Sequence, residues 1–357
     1  MRLTDARRAL QERGVDVIDF GIGEPREQTP QFIRTALCDA IEPISTYPLA
    51  EGLPQLRGAI CDWIVRRFEV TLDPDVHVVP TLGSKELIFH LAQIVGPGGV
   101  AVTTPGYPVA ERGALFAGHD VVELELTPAR GFLPDLDAVP WDALSLLWVN
   151  YPNNPTAATA PLGFYEALLD RARAHEVVVA SDEAYSELYF GDSAPVSALQ
   201  AGVDGLLVLN TLSKRSSMPG YRSGFAAGDP ELIAALKRYR PNVGVAPQEF
   251  VQRAAIAAWS EETHVEEVRA RYRAKRDVLL PALEALGLRP AGGDATFFLW
   301  LALPDGVQSE PFALELLERG IVVAPGAFFG PAGEGFVRVA LVPTIERCGE
   351  AAARLTA

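Results

Sequence analysis

The lysines are the first residues in this sequence that could do unusual chemistry. Lysine and arginine together number 31, yet the only lysines are Lys85, Lys214, Lys237 and Lys275. Only an amine loses its proton readily and condenses with a carbonyl to form an imine, so a lysine kept among arginines is a candidate for that reaction. Lys237 and Lys275 lie in charged helical patterns and are expected to be solvated. Lys85 and Lys214 remain as candidates.

Two stretches near these lysines suit an anion. Gly83-Ser84-Lys85 lies between a predicted strand and a predicted helix, where small residues expose backbone N–H groups to a phosphate. A turn glycine with a serine N-cap would use the same residues. In Thr211-Leu212-Ser213-Lys214-Arg215, hydroxyls flank Lys214, and the following Arg222 could be a further phosphate anchor. A surface lysine is the alternative, but lysine is scarce and this one follows a strand.

Polar residues also follow two other predicted strands. Tyr151-Pro152-Asn153-Asn154-Pro155-Thr156 sets two asparagines in a rigid turn that could aim an amide inward, although an Asx-turn has the same composition. Ser181-Asp182-Glu183-Ala184-Tyr185 ends an apolar strand, and a buried carboxylate needs a cation or hydrogen bonds. A protonated ring nitrogen could be the partner of Asp182, and a structural salt bridge is the alternative.

An arginine near the C-terminus is also a charged residue in a segment that is expected to be buried. Arg338 lies in the apolar strand pattern GFVRVALV and needs an anion. Its planar guanidinium suits a carboxylate, while an ion pair on an edge strand is the alternative. The histidines have no metal-ligand spacing, so no metal site is predicted. They are His77, His90, His119, His175 and His264.

These residues must be positioned by an α/β fold. Short apolar runs alternate with helical patterns from about residue 76, which predicts a mostly parallel sheet of about seven strands flanked by helices. The predicted strands cover residues 76–82, 100–105, 121–126, 144–150, 177–182, 206–211 and 224–228, and one predicted helix covers 163–175. Longer helices and short strands follow residue 245. We therefore expect a large domain at 41–245 and a smaller α+β domain formed by 1–40 with 246–357.

Composition narrows the function classes. The chain has 357 residues, 48% hydrophobic and 22% charged, with a net charge of −15. An acidic surface repels nucleic acid and anionic membranes, so neither is expected as a partner. Three cysteines without paired spacing favour reduced thiols and a cytoplasmic location. The first 14 residues predict an amphipathic helix without the apolar core of a signal peptide, and no run is long enough to span a membrane.

GSKE, PGYP, NNPT, SDEAY and NTLSKRSSMPGYRSGF, in this order, resemble the motif series of the class I/II aminotransferases, pyridoxal-phosphate enzymes of fold type I. The resemblance runs from Gly21 to Arg338. It implies that Lys214 holds pyridoxal 5′-phosphate as a Schiff base and moves the proton between the substrate's Cα and the cofactor. It further implies that Asp182 pairs with the ring nitrogen. Other side chains would contact the ring, with Asn154 and Tyr185 on its phenolic oxygen and Tyr107 on its face.

The same resemblance implies sites for the phosphate and the substrate. The implied phosphate ligands are Gly83, Ser84, Lys85, Thr211, Ser213 and Arg222. Lys85 stands where the family usually has a neutral side chain. Tyr47, in YPLAEGLPQLR, matches a tyrosine that reaches the neighbouring subunit's phosphate, which implies a homodimer. Arg338 would bind the α-carboxylate of amino-acid substrates, near Gly23 and Asn154.

The stretch SKRSSMPGYRSGFAAGD is most similar to the bacterial succinyldiaminopimelate aminotransferases of lysine biosynthesis. This implies amino-group exchange between N-succinyl-LL-2,6-diaminopimelate and 2-oxoglutarate. Arg26 and Arg215 are candidates for the substrate's further carboxylates. Ala157 replaces the family's usual glycine after Asn-Pro-Thr, and residues 292–298 read GGDATFF where many relatives have more glycine. Aspartate or aromatic aminotransferase activity and a β-lyase on the same fold remain alternatives, while a DNA-binding regulator is disfavoured by the acidic chain.

Overall fold

The computed structural model describes residue 12 and residues 14–356 and contains a central seven-stranded sheet. Its strand order is β2-β8-β7-β6-β5-β3-β4. Neighbouring strands from β4 to β7 are parallel, whereas β8 is antiparallel to both β7 and β2. The strands are β2 (Val78–Thr81), β3 (Gly99–Thr104), β4 (Val121–Glu125), β5 (Leu144–Asn150), β6 (Val178–Asp182), β7 (Leu206–Thr211) and β8 (Gly224–Gly228). The predicted α/β class with a mostly parallel sheet is confirmed.

Helices cover both faces of this sheet, so its inner strands are buried on both sides. In β5, Leu147 and Val149 face one helical layer, while Leu146 and Trp148 face the other. The first layer includes α2 (Pro54–Phe68), α5 (Leu162–Ala174) and α8 (Glu249–Trp259). The second layer is formed by α3 (Ser84–His90), α4 (Val109–Ala117) and α7 (Pro230–Tyr239). Helix α1 (Gln31–Asp39) contacts α8.

The parallel strands bring three of the predicted polar stretches to one edge. Strands β5 and β6 end at Asn150 and Asp182, which are paired in register, and β7 ends at Thr211. Parallel strands point their carboxyl ends the same way, and that is where ligands bind in open α/β sheets. The sheet therefore gathers residues that lie far apart in the sequence.

A second core surrounds a four-stranded antiparallel sheet with the order β12-β13-β10-β9. Its strands are β9 (Arg289–Pro290), β10 (Phe298–Ala302), β12 (Ala324–Pro325) and β13 (Phe336–Ala340), and a separate parallel pair joins β1 (Ile18–Asp19) to β11 (Ile321–Val322). The nearby helices are α9 (Thr263–Ala285), α10 (Ser309–Glu318) and α11 (Ile345–Thr356). These strands lie outside residues 41–245. The division into a large domain at 41–245 and a smaller domain formed by 1–40 with 246–357 stays a prediction.

Within the described part of the chain, no helix is both long and apolar enough to cross a membrane. The amphipathic helix predicted for the first 14 residues falls almost wholly outside the described residues.

Candidate active site

A cavity of about 570 Å³ opens at the carboxyl edge of the large sheet and reaches the smaller one. Most of the predicted site residues line it. These are Gly23, Ser84, Lys85, Tyr107, Asn154, Asp182, Tyr185, Thr211, Ser213, Lys214, Arg222 and Arg338.

Lys214 enters this cavity from α6 (Leu212–Arg215), a short helix that directly follows β7. The Thr211 hydroxyl caps the helix by accepting from the backbone N–H of Ser213, at 3.2 Å. The Lys214 Nζ donates to the carbonyl of Gly23 at 2.9 Å. Burial lowers the pKa of Lys214 to about 8, and the positive charge of Arg338 acts in the same direction. The amine is therefore much closer to its neutral, nucleophilic form than an exposed lysine.

Asp182 ends β6 and is buried in the cavity wall. Burial raises the pKa of this carboxyl to about 6, although a hydrogen bond from the backbone N–H of Ala184, at 3.2 Å, and the nearby Lys214 oppose the change. A buried carboxylate with one such bond can accept a further proton donor. Asp182 is thus suited to a cationic N–H group of a ligand.

Hydroxyl and guanidinium groups form a cradle at one end of the cavity. Gly83 has a φ of 72°, and a Cβ there would lie 2.7 Å from Nη2 of Arg222. Arg222 is fixed over this glycine by donating to the carbonyls of Leu82, at 3.0 Å, and Pro219, at 2.8 Å. The hydroxyls of Ser84, Thr211 and Ser213 line this end, and exposed Lys85 adds an amine. The Thr211 hydroxyl donates to the carbonyl of Ser223 at 2.9 Å and lies 2.9 Å from the Ser213 hydroxyl. These groups suit a phosphate.

Arg338 lies opposite Trp300 in the smaller sheet and projects into the other end of the cavity. Its Nη1 donates to Oδ1 of Asn154 at 2.7 Å and its Nη2 to the carbonyl of Gly21 at 2.8 Å. The guanidinium also stacks on Phe298, 4.2 Å from the ring centre. Burial lowers the Arg338 pKa to about 10, and the buried Nε has no hydrogen-bond partner among the described residues. Such an arginine can still bind an anion.

Two tyrosines and an amide line the space between these ends. Burial raises the pKa of both Tyr107 and Tyr185, so both phenols stay protonated. Tyr185 packs edge-on against Phe298, with ring centres 5.5 Å apart. Because Oδ1 of Asn154 accepts from Arg338, its Nδ2 is the group left to donate to a ligand. The cavity thus offers donors for an oxygen between the phosphate cradle and Arg338.

Several predicted residues lie outside this cavity. Gly83 supports Arg222 from below, and Arg26 lines a neighbouring cavity of about 600 Å³ that shares Pro219 and Arg222 with the first. Tyr47 is fully exposed, at 101% of its reference area, and does not line the cavity of its own chain. The roles predicted for Arg26 and Tyr47 stay predictions.

Arg215 was predicted as a candidate for the distal carboxylate, and its position shows this to be wrong. Its side chain is buried, lies 4.7 Å from the ring centre of Trp259 and 5.4 Å from that of Trp63, and forms a 2.8 Å ion pair with Glu262. Successive residues of a helix point about 100° apart, so Arg215 faces away from the cavity that Lys214 enters.

The two lysines expected at the surface are also placed differently. Lys275 is only 3% exposed and forms an ion pair with Glu27 on a face of α9 that the segment before α1 covers, so the expectation of a solvated amine is wrong. Lys237 is half-buried and donates to the carbonyl of Asp75 at 2.6 Å. Neither lines the cavity.

Part of the cavity wall was not predicted from the sequence. Glu24 and Phe298 could have been predicted, because they belong to the sequence stretches GEP and DATFF that differ from or match the family pattern. Phe328 and Phe329, which follow β12, belong to no motif and could not have been predicted in this way. The missed residues are Gly21, Ile22, Glu24, Pro108, Asn150, Ala184, Pro219, Phe298, Ala324, Phe328 and Phe329.

Comparisons with known proteins agree with this site. A family model, aminotransferase class I and II, matches residues 15–355. An LL-diaminopimelate aminotransferase of Aquifex aeolicus is 42% identical over 355 residues, 96% of this chain and 92% of that protein. The crystal structure of an aminotransferase from Neisseria meningitidis superposes with a TM-score of 0.92 at 35% identity, covering 99% of this chain and 95% of that one. A probable N-succinyldiaminopimelate aminotransferase from Thermus thermophilus gives 0.90 at 33%, covering 99% and 98%.

The fold and the cavity therefore define a pyridoxal-phosphate-dependent transaminase of fold type I. The chain belongs to the class I and II aminotransferase family. The family, the enzyme class and the cofactor predicted from the sequence are thereby confirmed.

Proposed function

We propose that Lys214 is the residue that binds pyridoxal phosphate and that it then transfers a proton between the substrate's Cα and C4′ of the cofactor. The observation that carries this proposal is a buried amine with a pKa lowered to about 8, in one cavity with the buried carboxyl of Asp182. When bound, pyridoxal phosphate supplies an electron sink for negative charge at Cα. A lysine of this pKa can both accept and return a proton near neutral pH.

The other cavity residues would hold the cofactor's ring. Asp182 would keep the ring nitrogen protonated, because a cation beside it offsets the cost of its own burial. The Nδ2 of Asn154 and the hydroxyl of Tyr185 would donate to the phenolic oxygen, and Tyr107 would pack on the ring face. Among the described residues, one carboxylate oxygen of Asp182 and the Nδ2 of Asn154 have no hydrogen-bond partner, and these two groups fit the ring.

The cradle would bind the phosphate. Arg222 is already fixed by two backbone carbonyls, so little conformational entropy is lost when it meets the anion. Gly83 allows that approach because any side chain there would collide with the guanidinium. The remaining proposed ligands are the hydroxyls of Ser84, Thr211 and Ser213 and the amine of Lys85.

Arg338 would bind the α-carboxylate that all amino-acid substrates share. Its guanidinium is oriented by Asn154, Gly21 and the Phe298 ring and has a buried N–H without a partner. Gly23 lies beside it, and a Cβ on that glycine would come within 2.8 Å of the Phe298 ring. A larger residue at position 23 would therefore narrow the space for the carboxylate.

For the substrate, we propose an amino donor with the 2,6-diaminopimelate skeleton and 2-oxoglutarate as acceptor, in lysine biosynthesis. The sequence predicts the N-succinyl derivative as donor. The name of the Thermus relative contains this derivative, while the name of the Aquifex relative contains LL-diaminopimelate itself. Both donors carry charge far from the reacting carbon. Of the described cations that line the cavity, Arg222 and Lys85 are assigned to the phosphate and Arg338 to the α-carboxylate, so Arg26 of the neighbouring cavity is the candidate for a distal carboxylate.

Glu24 can separate the two donors, because free diaminopimelate has a distal ammonium group and the succinylated donor has a neutral amide there. Glu24→Gln is expected to raise the KM for free diaminopimelate by about tenfold and to leave that for the succinylated donor within about twofold. Lys85→Met should instead weaken the binding of pyridoxal phosphate, because the proposed contact of Lys85 is to the phosphate. Arg26→Ala tests whether Arg26 binds a further carboxylate of the substrate. An unchanged KM for the succinylated donor would show that it does not.

The central test is an absorbance spectrum of the purified protein with pyridoxal phosphate, before and after each amino donor. The expected result is a visible band that is lost in Lys214→Ala, kept in Lys237→Ala and bleached by a productive donor. Aspartate, aromatic amino acids and release of ammonia with pyruvate would reveal the alternative aminotransferase and β-lyase activities. If wild-type protein gave no band, the proposed function would be wrong.

We also propose a homodimer in which Tyr47 reaches the phosphate of the partner. The support is a run of exposed apolar residues around it, Ile41 at 61%, Ile44 at 79% and Leu49 at 57% exposure. A cluster of this kind is typical of an interface. A cytoplasmic location stays a prediction from the cysteines.

A further inference from the structure

The residues that follow Lys214 form contacts that its role does not explain. Lys214 points into the cavity, whereas Arg215 and Ser216 face the turn between α8 and α9. Ser216 is the C-cap of α6, and its backbone N–H donates to the carbonyl of Leu212 at 3.1 Å. Any movement of Ser216 therefore moves the backbone that carries Lys214.

Ser216 belongs to a chain of three hydrogen-bonded side chains. Its Oγ lies 2.8 Å from Nε2 of His264, whose Nδ1 lies 2.6 Å from Oε2 of Glu261. Glu261 also accepts from the backbone N–H groups of Thr263 and His264, so it caps the start of α9. The chain thus connects the lysine turn to the N-terminus of a 23-residue helix.

This arrangement has the residue types of a hydrolytic triad, but its surroundings exclude that activity. Ser216 is 0% exposed, and neither Ser216 nor His264 lines the 570 Å³ cavity or the 600 Å³ cavity beside it. Burial lowers the pKa of His264, against the hydrogen bond and charge of Glu261, and Arg215 acts in the same direction as burial. A neutral imidazole that donates from Nδ1 to Glu261 accepts the Ser216 hydroxyl at Nε2. The chain is therefore a fixed connection.

Helix α9 also holds the other side of Lys214. The Lys214 amine donates to the carbonyl of Gly23, and the segment that contains Gly23 continues to Glu27, which pairs with Lys275 and Arg271 of α9. Arg215 adds a second contact to the α8–α9 turn through Glu262. One rigid helix thus sets the distance between the lysine turn and the backbone carbonyl that its amine contacts.

We propose that Ser216 and His264 are positioning residues for Lys214, and that the Ser216–His264–Glu261 chain fixes the lysine turn against α9 so that the amine stays in the cavity. The inference rests on the proposed role of Lys214 as the reacting amine. A small misplacement of a reacting group is costly, which is why a contact outside the cavity can affect the reaction.

Variants that break one contact at a time provide the test. Ser216→Ala removes only the hydroxyl. His264→Asn keeps an amide near Glu261 but does not reach Ser216, whereas His264→Gln can still meet the Ser216 hydroxyl. Ser217→Ala is the matched control, because the Ser217 hydroxyl is buried without a hydrogen-bond partner among the described residues.

We expect Ser216→Ala and His264→Asn to lower kcat and the rate of pyridoxal-phosphate uptake by apoenzyme about tenfold, with the donor KM within about twofold. The pH midpoint of the visible band should shift by about half a unit, since the environment of the Lys214 nitrogen changes. His264→Gln and Ser217→Ala should stay near wild type. The double variant Ser216→Ala/His264→Asn should be no worse than either single variant, because both break the same contact.

Equal loss in His264→Asn and His264→Gln, or wild-type behaviour of Ser216→Ala, would refute the positioning role. Circular dichroism and thermal unfolding identify a variant that fails to fold, and Ser216→Ala then decides, because it removes a single atom. A wild-type protein without a Lys214-dependent band would instead refute the proposed function itself.

Discussion

At the scale of single residues, burial changes the two main titrating groups of the cavity in opposite directions. It lowers the pKa of Lys214 to about 8 and raises that of Asp182 to about 6. Both shifts favour the uncharged form. Charging either group in the apoenzyme therefore costs free energy, which a ligand with a cationic ring nitrogen and a phosphate would offset. The site should therefore reduce the stability of the apoenzyme while preparing it for the cofactor.

Asp182→Asn tests this cost. Because the folded-state pKa of Asp182 is raised, the native apoenzyme holds a proton that the unfolded chain has lost, and stability falls as pH rises from about 4 to about 6. Asparagine has no such proton. The variant apoenzyme is expected to be more stable than wild type by about 3 kcal/mol at pH 8 and nearly equal to it near pH 4, as measured by unfolding in urea. Activity with pyridoxal phosphate should fall about a hundredfold.

Glu183→Gln is the matched control for that variant. Glu183 is the next residue, is fully buried, and has a pKa that burial raises to about 7. Its carboxyl faces the Ser181 hydroxyl and the backbone N–H of Ala198, away from the cavity. The Glu183→Gln substitution should also stabilise the protein above pH 7, but its activity should stay within about threefold of the wild-type activity. A similar activity loss in both variants would show that Asp182 has no special role.

At the scale of elements, several strands of the central sheet could be predicted from the sequence. The predictions for 144–150, 206–211 and 224–228 match β5, β7 and β8 residue for residue, because these strands are continuous apolar runs bounded by turns. The helix predicted at 163–175 is observed at Leu162–Ala174. Strands of two residues, such as β1 and β11, carry no periodic signal, and only tertiary pairing creates them.

The same reasoning explains which site residues were predictable. Asp182 and Thr211 end buried strands, so their position at the ligand edge follows from the topology. Arg215 follows the strand just as closely, but adjacent residues of a helix point in different directions. Its distance from the strand in the sequence therefore does not show that its side chain faces away from the cavity. Glu24 and Phe298 come from segments whose approach to the sheet depends on packing between the two cores.

The turn after Asn154 gives a prediction at this scale. Ala157, in place of the family's usual glycine, is buried with a φ of 59°, which is unfavourable for a residue with a Cβ. In Ala157→Gly, relief of about 1 kcal/mol should offset the lost methyl burial, leaving the free energy of unfolding within about 0.5 kcal/mol of wild type. The neighbouring Ala158→Gly has no such relief and should lose about 1 kcal/mol. A greater loss in Ala157→Gly, measured by urea unfolding, would contradict this account.

At the scale of the whole molecule, the exposed apolar segment around Tyr47 and the exposed cradle proposed to bind the phosphate require a common explanation. Arg222 and Lys85 are both exposed in the single chain, although an anion site of this kind is usually shielded from water. A partner subunit that covers the cradle with its own Tyr47 segment would bury both surfaces at once. The site would then be complete only in the dimer.

Mixing two variants with impaired activity tests this arrangement. Tyr47→Ala should weaken the phosphate site of the partner, and Lys214→Ala removes the reacting amine of its own chain. In a mixed dimer, the subunit that keeps Lys214 receives an intact Tyr47 from the Lys214→Ala chain, so one site is fully restored. Unfolding and refolding the variants together in equal amounts should recover about a quarter of wild-type activity, because half of the dimers are mixed and each has one such site. If Tyr47 acted within its own chain, each mixed dimer would contain no repaired site and mixing would recover nothing, even where light scattering showed a dimer.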